Sequence, residues 1–175
     1  MRLLVIGGSY NPVHVGHLIL AEEVASEFSY DKVMLIPARE PPHKAIIDDP
    51  GPALRLAMLR AAVEDNPLYI VEECELGREG PSYTSDTLAD IIARYDIEGK
   101  PGLVIGDDLA SGFASWHEPG RIASIADIIV ARRSGQPYDM PFAHAEAHNM
   151  LVPVSSTLLR ERVRKGAAWR SLVPM

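Results

Sequence analysis

The chain has 175 residues, 47% apolar and 23% charged, with a formal net charge of −7 at neutral pH. That length suits one well-buried core, so a single domain over residues 1–175 is expected. The acidic balance disfavours a broad nucleic-acid surface, which draws on clustered Lys and Arg, and no apolar run approaches the roughly 18 residues that span a bilayer. The N-terminus runs straight into an apolar segment with no cleavable signal pattern, and the single cysteine, Cys74, has no internal disulfide partner. Both point to a reducing, cytoplasmic setting.

Residues 3–6 form a short apolar run ending at Gly7 and Gly8, the pattern of a buried parallel strand whose backbone then turns sharply or approaches a ligand. After Asn11-Pro12 the period changes: Leu18, Ala21, Ala25 and Phe28 recur at helical spacing, with Glu22, Glu23 and Glu27 turned away. A helix starting just past a strand end presents free N–H groups and a positive dipole end, where a phosphate is stabilised. His14 and His17, three apart at the helix entry, can face the same side. They fit three roles: polar residues at a helix start, two ligands of a zinc site for which no third ligand cluster is evident, or donors to phosphate oxygens.

Further apolar runs at 33–36, 69–71, 103–105, 128–131 and 150–152 read as strands, and residues 54–64, 84–95 and 156–165 as helices. Strands alternating with helices imply right-handed βαβ units, hence an α/β fold with a doubly wound, mostly parallel sheet between two helical layers. Ligands in such sheets bind beyond the carboxyl ends of the strands. Local positive charge for a phosphorylated ligand is available at His43-Lys44, Arg132-Arg133 and residues 160–165. The proline-rich stretch 37–44 is a stiff loop ending in His43-Lys44, either a solvated surface loop or a cover for the site. The hydroxyl-rich residues 82–87 offer helix caps, with Asp86 complementing the dipole. Gly106 is followed by Asp107 and Asp108, a helix cap or a ribose acceptor; Trp116 is a core aromatic or a stacking platform. Ser155, Ser156 and Arg160 fit a cap with a solvated arginine one turn in.

Residues 7–18, GGSYNPVHVGHL, resemble the G-G-T/S-F/Y-D/N-P-x-H-x-G-H signature of the nucleotidyltransferase superfamily, and residues 154–160, VSSTLLR, resemble its second signature, I-S-S-T-x-x-R. Between them, PxxxPPHK at 37–44, GPSYTSDTL at 80–88, G-x-D at 106–108, Trp116 to Ile122, and Arg133 in an R-P/S-G position are similar to the pattern of bacterial nicotinate-mononucleotide adenylyltransferases. The resemblance implies a Rossmann-like nucleotidyltransferase fold. It also implies a reaction in which ATP and nicotinate mononucleotide give nicotinate adenine dinucleotide and pyrophosphate, in NAD biosynthesis.

By the same resemblance His14, His17, Lys44 and Arg160 act on phosphate oxygens. Gly7, Gly8, Ser9, Tyr10, Gly16, Gly106, Asp108, Ser155 and Ser156 complete the ATP site. Ser9, His43, Lys44, Thr84, Trp116, His117 and Arg133 bind the mononucleotide. Mg²⁺ is implied as a cofactor carried mainly by substrate oxygens and water, with no protein metal cage, and a homo-oligomer is compatible with the pattern. Relatives acting on nicotinamide mononucleotide or phosphopantetheine, and a non-catalytic nucleotide sensor, are the alternatives. Ser9 and Asn11 stand where the family more often has Thr and Asp, and the chain stops at Met175 where the family usually continues through another short helix.

Overall fold

The computed structural model describes residues 1–41 and 46–174. Its centre is a six-stranded, entirely parallel sheet in the order β3-β2-β1-β4-β5-β6. The strands are β1 (Leu3–Gly8), β2 (Lys32–Pro37), β3 (Tyr69–Val71), β4 (Gly102–Gly106), β5 (Asp127–Ala131) and β6 (Ala145–Glu146). The helices are α1 (Val15–Glu27), α2 (Pro52–Val63), α3 (Thr84–Arg94), α4 (Asp107–Ala110), α5 (Pro119–Ile125) and α6 (Ser156–Arg164).

The strands are apolar on both faces, as a parallel sheet covered on both sides requires. Successive residues point to opposite faces. Leu3, Val5, Met34, Ile36, Leu103, Ile105, Ile128 and Val130 pack with Leu88 and Ile91 of α3 and Ile122 of α5. The intervening Leu4, Val33, Leu35, Val104 and Ile129 pack with Ala21, Val24 and Ala25 of α1 and Leu59 and Val63 of α2. This is the expected three-layer arrangement, with helices on both faces. The strand order reverses between β1 and β4, where registered pairs are limited to Leu4 with Gly102 and Val5 with Leu103. β1 stays paired with β2 through Gly8 and Pro37. A crevice at this switch point is where such sheets take their ligands.

One expected strand is not formed. Residues 150–152 lie outside the sheet, with Met150 and Leu151 exposed, and the sixth strand is Ala145–Glu146. The reason is a set of polar tethers. The Asn149 side chain bonds the Arg132 backbone in both directions at 2.9 Å, while Glu27 accepts from the His148 N–H at 2.9 Å and Glu23 from that of Met150 at 2.7 Å. Segment 148–150 is thereby bound across the β5 end and α1, and its apolar side chains are left to solvent.

The start of α2 holds a fully buried guanidinium. Arg55 donates through Nε to Asp49 Oδ1 at 2.9 Å and through Nη1 to the carbonyls of Ser9 at 2.9 Å and Ala38 at 2.8 Å. Asp49 Oδ1 also accepts from Gly51 N at 2.9 Å, the turn that launches α2 with Pro52 in its first turn. Arg55 therefore joins the ends of β1 and β2 to the head of α2. Removing Arg55 leaves the Ser9 and Ala38 carbonyls without their donor, so Arg55→Met is expected to lower the urea-unfolding free energy by about 2–4 kcal/mol. Asp49→Ala, at a solvent-exposed carboxylate, should cost less. Equilibrium unfolding with unchanged m-values checks this, and a loss below about 1 kcal/mol for Arg55→Met would contradict it.

Candidate active site

The site builds up at the carboxyl end of β1. Gly7 and Gly8 close the strand, and the turn at 9–12, with a cis Asn11–Pro12 peptide, leads to His14 at the N-cap of α1. The His14 backbone N–H donates to His17 Nδ1 at 3.1 Å, and the two imidazoles stack with centroids 3.7 Å apart. Because Nδ1 of His17 accepts, the proton of its neutral ring sits on Nε2, leaving an N–H donor. Gly16 leaves room for this stack, since a Cβ there would meet His14 Nδ1 at 3.0 Å, a tight contact. The buried Tyr10 ring lies 5.1 Å from His17 and donates its hydroxyl to the Ile6 carbonyl at 2.8 Å, so it braces the pair from beneath.

Both histidines are held neutral. Burial pushes the His14 imidazole down to about 4, and the Arg133 charge pushes the same way. His17 is driven well below its ordinary value by burial first, then by His14 and Arg133. His14 Nδ1 is buried with no hydrogen-bond partner among the described residues. Such an atom is costly unless something else completes it.

The second signature docks onto the same turn. Ser155 caps α6 by accepting from Leu158 N at 3.1 Å, and Ser156 Oγ donates to the Pro12 carbonyl at 2.8 Å. Arg160 donates through Nη1 to the Asn11 carbonyl at 2.6 Å and through Nη2 to Thr157 Oγ1 at 3.3 Å; its Nε lies 3.7 Å from Asp48 Oδ2. Arg164 also pairs with Asp48. Asn11 Nδ2 in turn donates to the Ile47 carbonyl at 2.9 Å. Two helix N-termini, α1 and α6, thus flank one turn, with Arg160 beside them.

At the end of β4 the two carboxylates divide their roles. Asp107 is buried and accepts from the N–H groups of Arg133, Ser134 and Gly135 at 3.1, 2.8 and 2.7 Å, fixing the turn after β5. Burial pushes its carboxyl up, but these N–H bonds outweigh it and hold the group below the usual range. Asp108 is exposed and lies 3.5 Å from Arg133 Nη1. A Cβ on Gly106 would overlap the Asp108 carboxylate and the Arg133 chain as they stand, so the two side chains lie directly against this glycine. Arg133 is therefore placed with Asp108 and within electrostatic reach of His14, His17 and Tyr10.

On the other flank, α3 begins at Thr84, and Tyr83 just before it stacks on His117 with centroids 4.2 Å apart and planes 26° from parallel. Trp116 is half-buried against Phe113, at 5.1 Å, so its ring is part of the core edge. His43 and Lys44 lie outside the described residues. The sequence gives no sign of the roles of Arg55, Tyr83 and the tethering side chain of Asn11, nor of Asp107 as the carboxylate that fixes the turn after β5. Tyr83 and Asp107 stood inside quoted motifs, whereas Arg55 carried no signal beyond a charge in a helical segment. Among the described residues no three His, Cys, Asp or Glu side chains converge to hold a metal ion, and no helix is long and apolar enough to cross a membrane.

The cytidylyltransferase-like family model matches residues 5–162 of this chain, which places its parallel sheet and two signatures among the nucleotidyltransferases. A protein named probable nicotinate-nucleotide adenylyltransferase in Borrelia garinii subsp. bavariensis is 37% identical over 99% of this chain and 88% of its own. Another of that name in Geobacillus kaustophilus is 35% identical over 99% of this chain and 80% of its own. In fold the chain resembles Plasmodium falciparum nicotinic acid mononucleotide adenylyltransferase complexed with NaAD, with a TM-score of 0.71 at 16% identity over 95% of this chain and 86% of the other. The chain belongs to the nicotinate-nucleotide adenylyltransferase branch of the cytidylyltransferase-like family.

The depressed His14 value has a consequence for acid stability. Between about 4 and its ordinary 6.5 the unfolded chain binds a proton at this position that the folded chain does not. Stability therefore falls as pH drops through that window, by about 3 kcal/mol for this group alone between pH 7 and 4. Urea unfolding of the wild type and His14→Asn across pH 7 to 4 is expected to show a shallower decline in the variant. Parallel curves would refute the burial of a neutral His14.

Proposed function

We propose that this chain transfers the adenylyl group of ATP to nicotinate mononucleotide, releasing nicotinate adenine dinucleotide and pyrophosphate. The observation that carries the reading is the docking of the 155–160 segment onto the Asn11–Pro12 turn, which sets Arg160 and the α6 N-terminus beside the His14–His17 pair. That concentration of donors suits a polyphosphate, since helix N-termini and arginine both favour anions. The names of the relatives support the choice of acceptor.

An acceptor phosphate with a second pKa of about 6 is largely dianionic at neutral pH, so no strong base is needed. One of its oxygens attacks the α-phosphorus in line as the bond to the β-phosphate breaks, and the electron pair leaves on pyrophosphate. Catalysis is then positioning and charge stabilisation. His17 donates from Nε2, and His14 completes its buried ring against the same phosphates. Arg160 turns part of its guanidinium from Asp48 to the triphosphate, Lys44 neutralises phosphate charge, and the Gly7–Tyr10 backbone lets the chain approach closely. Asp108 accepts from the ribose, with Arg133 steadying it and adding positive charge. Thr84 at the head of α3 meets the nicotinate carboxylate, and the Tyr83–His117 stack offers the pyridine ring a flat surface. That helix N-terminus favours the acid over the amide mononucleotide.

The donors at the phosphate end, imidazoles and guanidinium groups, suit anions and not a hard cation. Mg²⁺ would fit as a companion of the triphosphate rather than of protein ligands, where it would supply charge neutralisation.

Pyrophosphate release from ATP is expected with nicotinate mononucleotide and weakly or not at all with nicotinamide mononucleotide or phosphopantetheine. Release with none of the three would sink the reading. His17→Ala should lower kcat by roughly 10²–10³-fold with the fold intact, the scale for losing one preorganised donor. Near-normal turnover would remove His17 from this role. Arg160→Ala should mainly raise KM for ATP if it acts in ground-state binding, whereas equal losses in kcat and kcat/KM would assign it to the transition state.

A further inference from the structure

Glu75 lies outside every motif and every role assigned above, yet it is 7% exposed, a burial that unpaired carboxylates avoid. Thr87 Oγ1 donates to its Oε1 at 2.8 Å, and the Ser82 hydroxyl interacts with the same carboxylate. Each of those hydroxyls is itself an acceptor. Arg78 Nη1 donates to Thr87 Oγ1 at 3.2 Å, and the N–H groups of Arg39 and Glu40 converge on Ser82 Oγ at 3.2 and 3.4 Å. A carboxylate oxygen accepts, so the Thr87 proton goes to Glu75, and Ser82 Oγ, already accepting two N–H groups, keeps its own proton free for the same carboxylate.

The network joins the segment that follows β2 to the one that follows its neighbour β3, beyond the last paired residues. Residues 39–40 leave β2 toward the proline-rich loop, and Ser82 immediately precedes Tyr83 and Thr84. Ser82 N also donates to the Glu40 carbonyl at 3.0 Å, and Arg39 Nη1 to the Arg78 carbonyl at 3.2 Å. We infer that Glu75 is a positioning residue for the acceptor half of the site: by orienting Ser82 and Thr87 it locks the Tyr83–Thr84 segment to the end of β2. The inference rests on the adenylyl-transfer reading above. Burial raises the Glu75 carboxyl above its ordinary value, with the hydroxyl contacts and Arg78 pulling the other way.

Glu75→Gln is nearly isosteric but offers an NH₂ where a hydroxyl donates, so it disorders the lock without emptying the space. Ser82→Ala removes the same link from the other side. Initial-rate kinetics on the full chain, with ATP and nicotinate mononucleotide varied in turn and thermal unfolding measured alongside, separate the outcomes. Each variant is expected to raise KM for the mononucleotide by roughly 10-fold or more and to shift KM for ATP by less than about 3-fold. The double variant should be little worse than Glu75→Gln, because the two residues share one link.

Equal shifts in both KM values, additive losses, or a lowered Tm with an unchanged KM ratio would each overturn the inference. Should Glu75→Gln fail to fold, Ser82→Ala alone decides it: an unchanged mononucleotide KM ends the proposal. Turnover of the wild type with the same substrates keeps this test distinct, since its absence would remove the adenylyl-transfer reading first.

Discussion

A single buried guanidinium carries much of the architecture around the site. Arg55 reaches three acceptors from three parts of the chain, Ser9 after β1, Ala38 after β2 and Asp49 before its own helix. β1 and β2 are paired to their last residues, Gly8 and Pro37, and Arg55 carries the join past them to Ser9 and Ala38. The bonds are charge-assisted and made by a fully buried guanidinium. The turn at residues 9–12 that follows β1 is thereby fixed at its base.

Around that base the polar groups are sorted by burial. His14 and His17 are kept neutral by their surroundings and by Arg133, so the positive charge at this end belongs to arginines at its edge. Neutral N–H donors stabilise charge as it develops without binding the ground state as tightly as a buried imidazolium would. Asp107 and Asp108 show the same sorting: adjacent in sequence, one is saturated by backbone N–H groups and the other is left to solvent and Arg133.

What was legible in the sequence follows from how locally each feature is encoded. The α1 face, the histidine spacing and the capping serines of α6 are written within a turn or two, and the alternation of apolar runs with helical patterns is enough for a doubly wound sheet. The last strand was not legible, because the placement of residues 145–150 depends on Asn149 meeting Arg132 and on Glu23 and Glu27 reaching across from α1, contacts spanning up to 127 positions. Arg55 was hidden for a similar reason: a charge in an amphipathic pattern reads as solvent-facing until the acceptors that bury it are known. Nor could a doubled aspartate disclose which carboxylate faces inward. Tyr83 was overlooked because its neighbour Thr84 carried the motif, although the aromatic ring is what His117 stacks on.

The bonds from Ser156 to Pro12 and from Arg160 to Asn11 join residues 144 and 149 positions apart. Closures of that length are among the last to form in a folding chain. During synthesis, at roughly 5–20 residues per second, β1, β2 and β3 are neighbours in both sequence and space and can pair early. The half of this contact contributed by α6 does not yet exist at that stage. An emerging chain thus carries the first signature for many seconds with the Asn11 and Pro12 carbonyls uncovered, and the turn is completed only with the closing of the whole fold.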